Sequence, residues 1–141
     1  MFFRKIKTVT LPIIGVLDCD KNFIFGSSYS WIGGVKVLNN KETFIAVDGD
    51  KNNPNFNQVM EINDIILNFD TVYKKQINYW LGLESLGTQE KFENWEVTYF
   101  LGMITPGNNS ILEITIEPIN ENDLGFFSIE IENKRVIKLD V

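Results

Sequence analysis

A chain of 141 residues, 44% hydrophobic and 23% charged, has the size and composition of one ordinary globular domain. At that length it can bury roughly two-thirds of its unfolded surface with no disulfide or metal staple. Its formal charge of −6, from 13 basic against 19 acidic residues, repels phosphate backbones, and the basic clusters Arg4–Lys7, Lys74–Lys75 and Lys134–Arg135 are too small to rescue nucleic-acid binding.

The N-terminal third is expected to be β. An apolar run from Val9 to Leu17 contains Pro12, which suits an edge strand or the entry to one. The basic residues before that run, and Cys19 after it, outline a lipoprotein signal. Asp18 stands where a small residue is needed, however, and Pro12 interrupts the run, so the start is expected to be a strand of a cytoplasmic protein. Asp18-Cys19-Asp20-Lys21-Asn22 has turn chemistry. Phe23–Trp31 is a strand with a weak point or bulge at Gly26, and Gly33-Gly34 permits a sharp bend. Val35–Leu38 and Thr43–Val47 flank Asn39-Asn40-Lys41-Glu42 as a hairpin.

A polar loop over 48–55 leads to one long helix. Asn55 is its N-cap, and Gln58 three residues on completes a capping box. Val59, Ile62, Ile66, Phe69, Tyr73, Ile77 and Trp80 recur at steps of three and four, one helix face, with Ile65 and Val72 widening the stripe. Early Glu61 and Asp64 and late Lys74 and Lys75 suit the helix dipole, and Asp70 and Lys74 form an i, i+4 pair. A helix from Phe56 to Leu81 would be about 39 Å long at about 1.5 Å per residue, so a kink near 68–71 is expected. Gly82 or Gly87 ends it.

The last third returns to β. Trp95–Met103 is a strand, and Pro106–Asn109 a turn. Leu112, Ile114 and Ile116 alternate with Glu113, Thr115 and Glu117. Phe127–Glu132 and Val136–Val141 come next, with Ile129, Ile131, Ile137, Leu139 and Val141 facing the core. The expected fold is therefore a single α+β domain over 1–141: an antiparallel meander, one long and kinked helix, then a second antiparallel meander, with the helix packed on one sheet face.

Conventional catalytic chemistry lacks its parts. With no His, the His-dependent triads are excluded, and one Cys leaves zinc without a ligand set. Asp18-x-Asp20-x-Asn22 and Asp48-x-Asp50-x-Asn52 share the opening spacing of a calcium loop. The required glycine is replaced by Phe23 and Asn53, and the twelfth position holds Tyr29 and Val59 instead of Glu, so both are expected to be turns. No metal and no cofactor are expected, and no membrane partner either, since no run approaches about 20 apolar residues.

What remains is recognition. With 11 Phe, 4 Tyr and 3 Trp, some rings can serve as surface anchors. A contact surface combining rings with carboxylates is expected near Tyr29, Trp31, Asp48 and Asp50. The run Pro12–Asp18, Trp31 at the end of a strand, and the loop-to-helix stretch Asp48 to Val59 resemble small bacterial proteins of the domain-of-unknown-function kind, some of which look like immunity proteins of toxin systems. The acidic surplus, the missing His and the many aromatics point to a non-enzymatic protein that binds a protein partner, and the resemblance implies an immunity-type inhibitor of a basic toxin. A small-ligand-binding or carboxylate-dependent enzyme domain, and a self-associating domain forming a homodimer, are the other readings.

Overall fold

The computed structural model describes residues 3–22, 29–120 and 125–141. Eight strands among them form one sheet in the order of the chain: β1 (Phe3–Leu11), β2 (Gly15–Asn22), β3 (Tyr29–Lys36), β4 (Glu42–Gly49), β5 (Tyr99–Pro106), β6 (Leu112–Pro118), β7 (Phe127–Glu132) and β8 (Arg135–Asp140). Neighbours are antiparallel except β4 and β5, which run parallel and pair only at Phe44↔Met103 and Ile45↔Ile104. A parallel pair needs a crossover connection. Here it is α1 (Phe56–Asn68), a π-helical turn (Phe69–Tyr73), α2 (Lys74–Leu81), and two short helices, α3 (Leu86–Lys91) and α4 (Trp95–Thr98). The two expected meanders are thus halves of one sheet. Among the described residues no helix is long and apolar enough to cross a membrane.

The helix buries the face that its spacing predicts. Val59, Ile62, Ile65, Phe69, Tyr73, Ile77 and Leu81 join Leu17, Cys19, Trp31, Ile45, Val47, Leu101, Ile104, Ile114, Ile116 and Ile129 in a single core. Ile66 and Trp80 pack at its margin, and Val72 turns outward. Asn55 caps α1 by accepting from the Gln58 backbone N–H at 3.1 Å. Gln58 does not close the expected capping box. Its side chain turns back to β4, where Oε1 accepts from the Asp48 N–H at 2.8 Å and Nε2 donates to the Asp48 carboxylate at 3.0 Å.

The expected kink is the π-helical turn, entered at Asn68, whose φ of −113° and ψ of 16° leave the helical region. Asp70 and Lys74 pair at 2.8 Å as expected. At the far end, Gln76 receives the Val136 N–H at 2.8 Å and donates to the Lys134 carbonyl at 3.3 Å, tying α2 to the edge strand β8.

Several local expectations give way. The apolar run Val9–Leu17 is not one strand: Ile13 adopts φ 70° and Gly15 φ 84°, and Ile14 N–H returns to the Pro12 carbonyl at 2.8 Å, which makes a tight β1–β2 turn. Asp18–Asn22 is strand, not turn, because alternation puts Leu17 and Cys19 inward while Asp18 meets Thr8 across the pair, with Thr8 Oγ1 donating at 2.6 Å. Gly33 and Gly34 do not bend β3. Gly33 is required by close packing, since a Cβ there would lie 2.4 Å from the Val16 carbonyl oxygen.

Trp95–Thr98 is a turn of helix, and β5 begins at Tyr99. In β8 a bulge sets Ile131 opposite Val136 and Glu130 opposite Lys138, so Ile137 is the extra residue. Val136 and Leu139 therefore face the core, while Ile137 and Val141 are exposed. The expected strand segment over 23–28, with Gly26, lies outside the described residues.

Candidate functional site

The four residues expected at a contact surface are brought together by the β3–β4 register, which sets Tyr29 opposite Gly49 and Trp31 opposite Val47, but they build a scaffold. Trp31 is fully buried and donates its indole N–H to the Asp50 carbonyl at 2.9 Å. The Asp50 side chain accepts the backbone N–H groups of Asn52 and Asn53, both at 2.8 Å, and these bonds hold its carboxyl below the usual range. Gly49 lets the loop close over the indole: a Cβ there would sit 2.7 Å from the Trp31 ring and 2.5 Å from the Asn53 carbonyl.

Asp48 is held by Gln58, and Tyr29 packs half-buried against the core. Cys19 beneath them is buried, and desolvation raises its thiol above the ordinary value. The loop anchors the start of α1. Among the described residues no group of three or more His, Cys, Asp or Glu side chains gathers as a metal site.

The recessed surface lies one step further along α1. A cavity of about 250 Å³ opens between α1, β6 and the β7–β8 turn, lined by Met60, Glu61, Asp64, Ile65, Tyr73, Leu112, Ile131, Asn133 and Lys134. A smaller hollow of about 140 Å³ shares Glu61 and Leu112 with it and continues toward Asn55, Asn57 and the β5–β6 turn at 109–111. Together they form a groove along the first half of the helix.

The groove owes its shape to the π-helical turn. On a regular α-helix Asp64 and Tyr73, nine positions apart, would point in opposite directions at about 100° per residue. The wider turn re-phases the chain, and the Tyr73 hydroxyl donates to Asp64 Oδ2 at 2.5 Å. Asn68 donates to Asp64 Oδ1 at 2.8 Å. Asp64 thus clasps the kink from both sides. Burial, then the hydrogen bond to Asp64, then the Asp64 and Glu61 charges keep the Tyr73 phenol protonated far above its ordinary value.

Beside the groove runs an uncovered apolar stripe. Phe56, Met60 and Leu67 lie within about 40° of one another on the helix wheel, and they are 53%, 69% and 63% exposed. Residues 54–73 carry Glu61, Asp64 and Asp70 and no Lys or Arg. Glu61 and Asp64, expected to suit the helix dipole, do not lie in the first turn of α1. The sequence signal for this face is the absence of cations beside outward-pointing Phe56, Met60 and Leu67.

Glu61 is held at a cost. Desolvation raises its carboxyl above the ordinary 4.5, so the folded state binds the proton more tightly than the unfolded chain does. The stabilising contribution is complete below pH 4.5 and is lost as pH rises through the folded value. Glu61→Gln, which imitates the protonated form, is expected to melt at a higher temperature than the parent at about pH 7. The gain should vanish as both are scanned below pH 4.5.

Fold and groove together define an α+β protein with an acidic, partly apolar recess along a kinked helix. Comparison with protein-family models, with curated proteins and with solved structures finds no match to this chain.

Proposed function

We propose that the protein is a non-enzymatic binding protein that docks a basic protein partner on the outer face of α1, in the manner of an immunity-type inhibitor of a basic toxin. The observation that carries this reading is the exposed Phe56–Met60–Leu67 stripe bordered by Glu61 and Asp64, on a segment, residues 54–73, that carries no Lys or Arg and faces Lys134 across the cavity. Apolar anchors ringed by one sign of charge suit a partner of opposite sign: the rings and thioether supply contact area, and the field supplies steering and orientation. The overall charge of −6 acts in the same direction. Self-association through this face would bring Glu61 and Asp64 of two copies together, which like-charge repulsion opposes.

The test is capture of a partner from the source cells on the immobilised protein, then titration with that partner once purified. Met60→Lys and Leu67→Lys replace exposed side chains and so leave stability within about 0.5 kcal/mol. Combined, they are expected to weaken the complex at least about tenfold, and raised salt should weaken the parent complex too. Phe126→Lys, at an exposed ring outside the groove, should leave affinity unchanged. A complex indifferent to both helix substitutions would remove the proposal.

A further inference from the structure

Resting on that reading, we infer that the cavity between α1 and the β7–β8 turn is a socket for one guanidinium-tipped side chain of the partner, an arginine. The hydrogen-bonding character of its wall points there. An ionised carboxylate is acceptor-only and has about four lone-pair sites. Asp64 uses one oxygen for Asn68 and the other for Tyr73, which leaves each oxygen a further site. Tyr73 gives its only hydroxyl proton to Asp64, so its oxygen can meet a ligand only as an acceptor. Glu61, three residues before Asp64, stands on the same side of the helix and lines the same cavity. Three acceptor groups without a proton to offer call for a ligand rich in N–H, and guanidinium carries five in a planar fork.

The apolar part of the wall, beside Asn133 and Lys134, fits the stem of such a side chain. Met60, Ile65, Leu112 and Ile131 are apolar, and an arginine lays its methylenes along apolar surface while its head reaches polar groups. The volume of about 250 Å³ lies below the ~300–1,000 Å³ of sites for drug-sized ligands. It exceeds the ~150 Å³ cavity known to hold a benzene ring. A side chain suits it, and a nucleotide or extended cofactor does not.

Lys134 sets the sign of the test. It lines the cavity from the β7–β8 turn at a left-handed φ of 64° and makes no ion pair within 4.0 Å among the described residues. Its ammonium repels an incoming guanidinium and would attract an anion. Glycine at that position accepts the positive φ without strain.

Butylguanidinium is the probe and N-butylurea its neutral counterpart, each titrated into the isotope-labelled full chain and monitored by amide chemical shifts. Butylguanidinium is expected to perturb residues around Glu61, Asp64, Ile131 and Asn133 with a millimolar dissociation constant. Glu61→Gln should weaken it about tenfold, and Lys134→Gly should tighten it about threefold. N-butylurea should leave the cavity unperturbed. Equal responses to both probes, weakening by Lys134→Gly, or no response to butylguanidinium at about 20 mM, about twentyfold above a dissociation constant of about 1 mM, would overturn the socket. In any of those outcomes, continued sensitivity of the partner complex to Met60→Lys and Leu67→Lys would leave the docking face in place and remove the arginine pocket alone.

Discussion

Trp31→Ala is expected to lower the free energy of unfolding by about 3–5 kcal/mol, the range for removing a buried tryptophan ring. The ring is fully buried in the core beneath the 49–53 loop. Its removal leaves a cavity under Gly49 and strips the Asp50 carbonyl of the indole N–H that it accepts at 2.9 Å. Against a total stability of about 5–15 kcal/mol for a domain of this kind, that is about a fifth or more. Trp31→Phe separates the two contributions. It keeps most of the apolar volume and loses the hydrogen bond, so about 1–2 kcal/mol is expected. Urea denaturation of both variants, with an unchanged slope against denaturant, measures these differences. A tryptophan acting as a surface anchor would show the opposite pattern, with stability nearly intact and affinity lost. A loss below about 1 kcal/mol for Trp31→Ala would refute the structural role.

The same tryptophan shows how far the sequence carries and where it stops. Its neighbour Asp50 is legible as a turn-forming carboxylate, and the structure uses it so; Asp48, expected in the same loop, is still in strand β4, where Gln58 holds its carboxylate. What the sequence withholds is that the loop folds over Trp31 and removes it from the surface, because that depends on contacts between β3 and residues 49–53. The helix is legible where periodicity is long: Val59, Ile62, Phe69, Tyr73 and Ile77 face the core as their spacing requires. The cap at Asn55 and the hairpin at Asn39-Asn40, whose φ values are 58° and 55°, arise from local chemistry.

Errors arise where one residue type serves two environments. Asp18 and Asp20 look like a turn, yet polar residues at alternate positions equally suit one face of a strand, where Asp18 is half-buried and Asp20 buried. Ile137 looks like core, but one bulged residue reverses the facing of the rest of β8. The cavity is beyond reach for a related reason: its lining comes from Met60 through Lys134, and the phase shift that turns Tyr73 toward Asp64 has no local sequence signature.

Tyr73→Phe tests that phase shift directly and is expected to cost about 1.5–3 kcal/mol at about pH 8, the range for a hydrogen bond to a charged group. The lost bond is the 2.5 Å contact to Asp64 that spans the π-helical turn. Its dependence on pH shows whether the hydroxyl is buried with its proton held. Burial first, and Asp64 next, raise the Tyr73 phenol above its ordinary value of 10.0. A group with a raised value in the folded state contributes its stability in full below the unfolded value, and loses it as pH rises through the folded one.

The difference between parent and Tyr73→Phe should therefore be constant from about pH 7 to 9 and shrink above about pH 10, where the unfolded parent releases a proton that the folded parent retains. Tyr99, also raised by burial, is present in both proteins and cancels from the comparison. A difference that stays level through about pH 11 would mean that the phenol is not held by Asp64 in solution. The acceptor wall of the cavity, which depends on the Tyr73 proton being spent on Asp64, would then lose its basis.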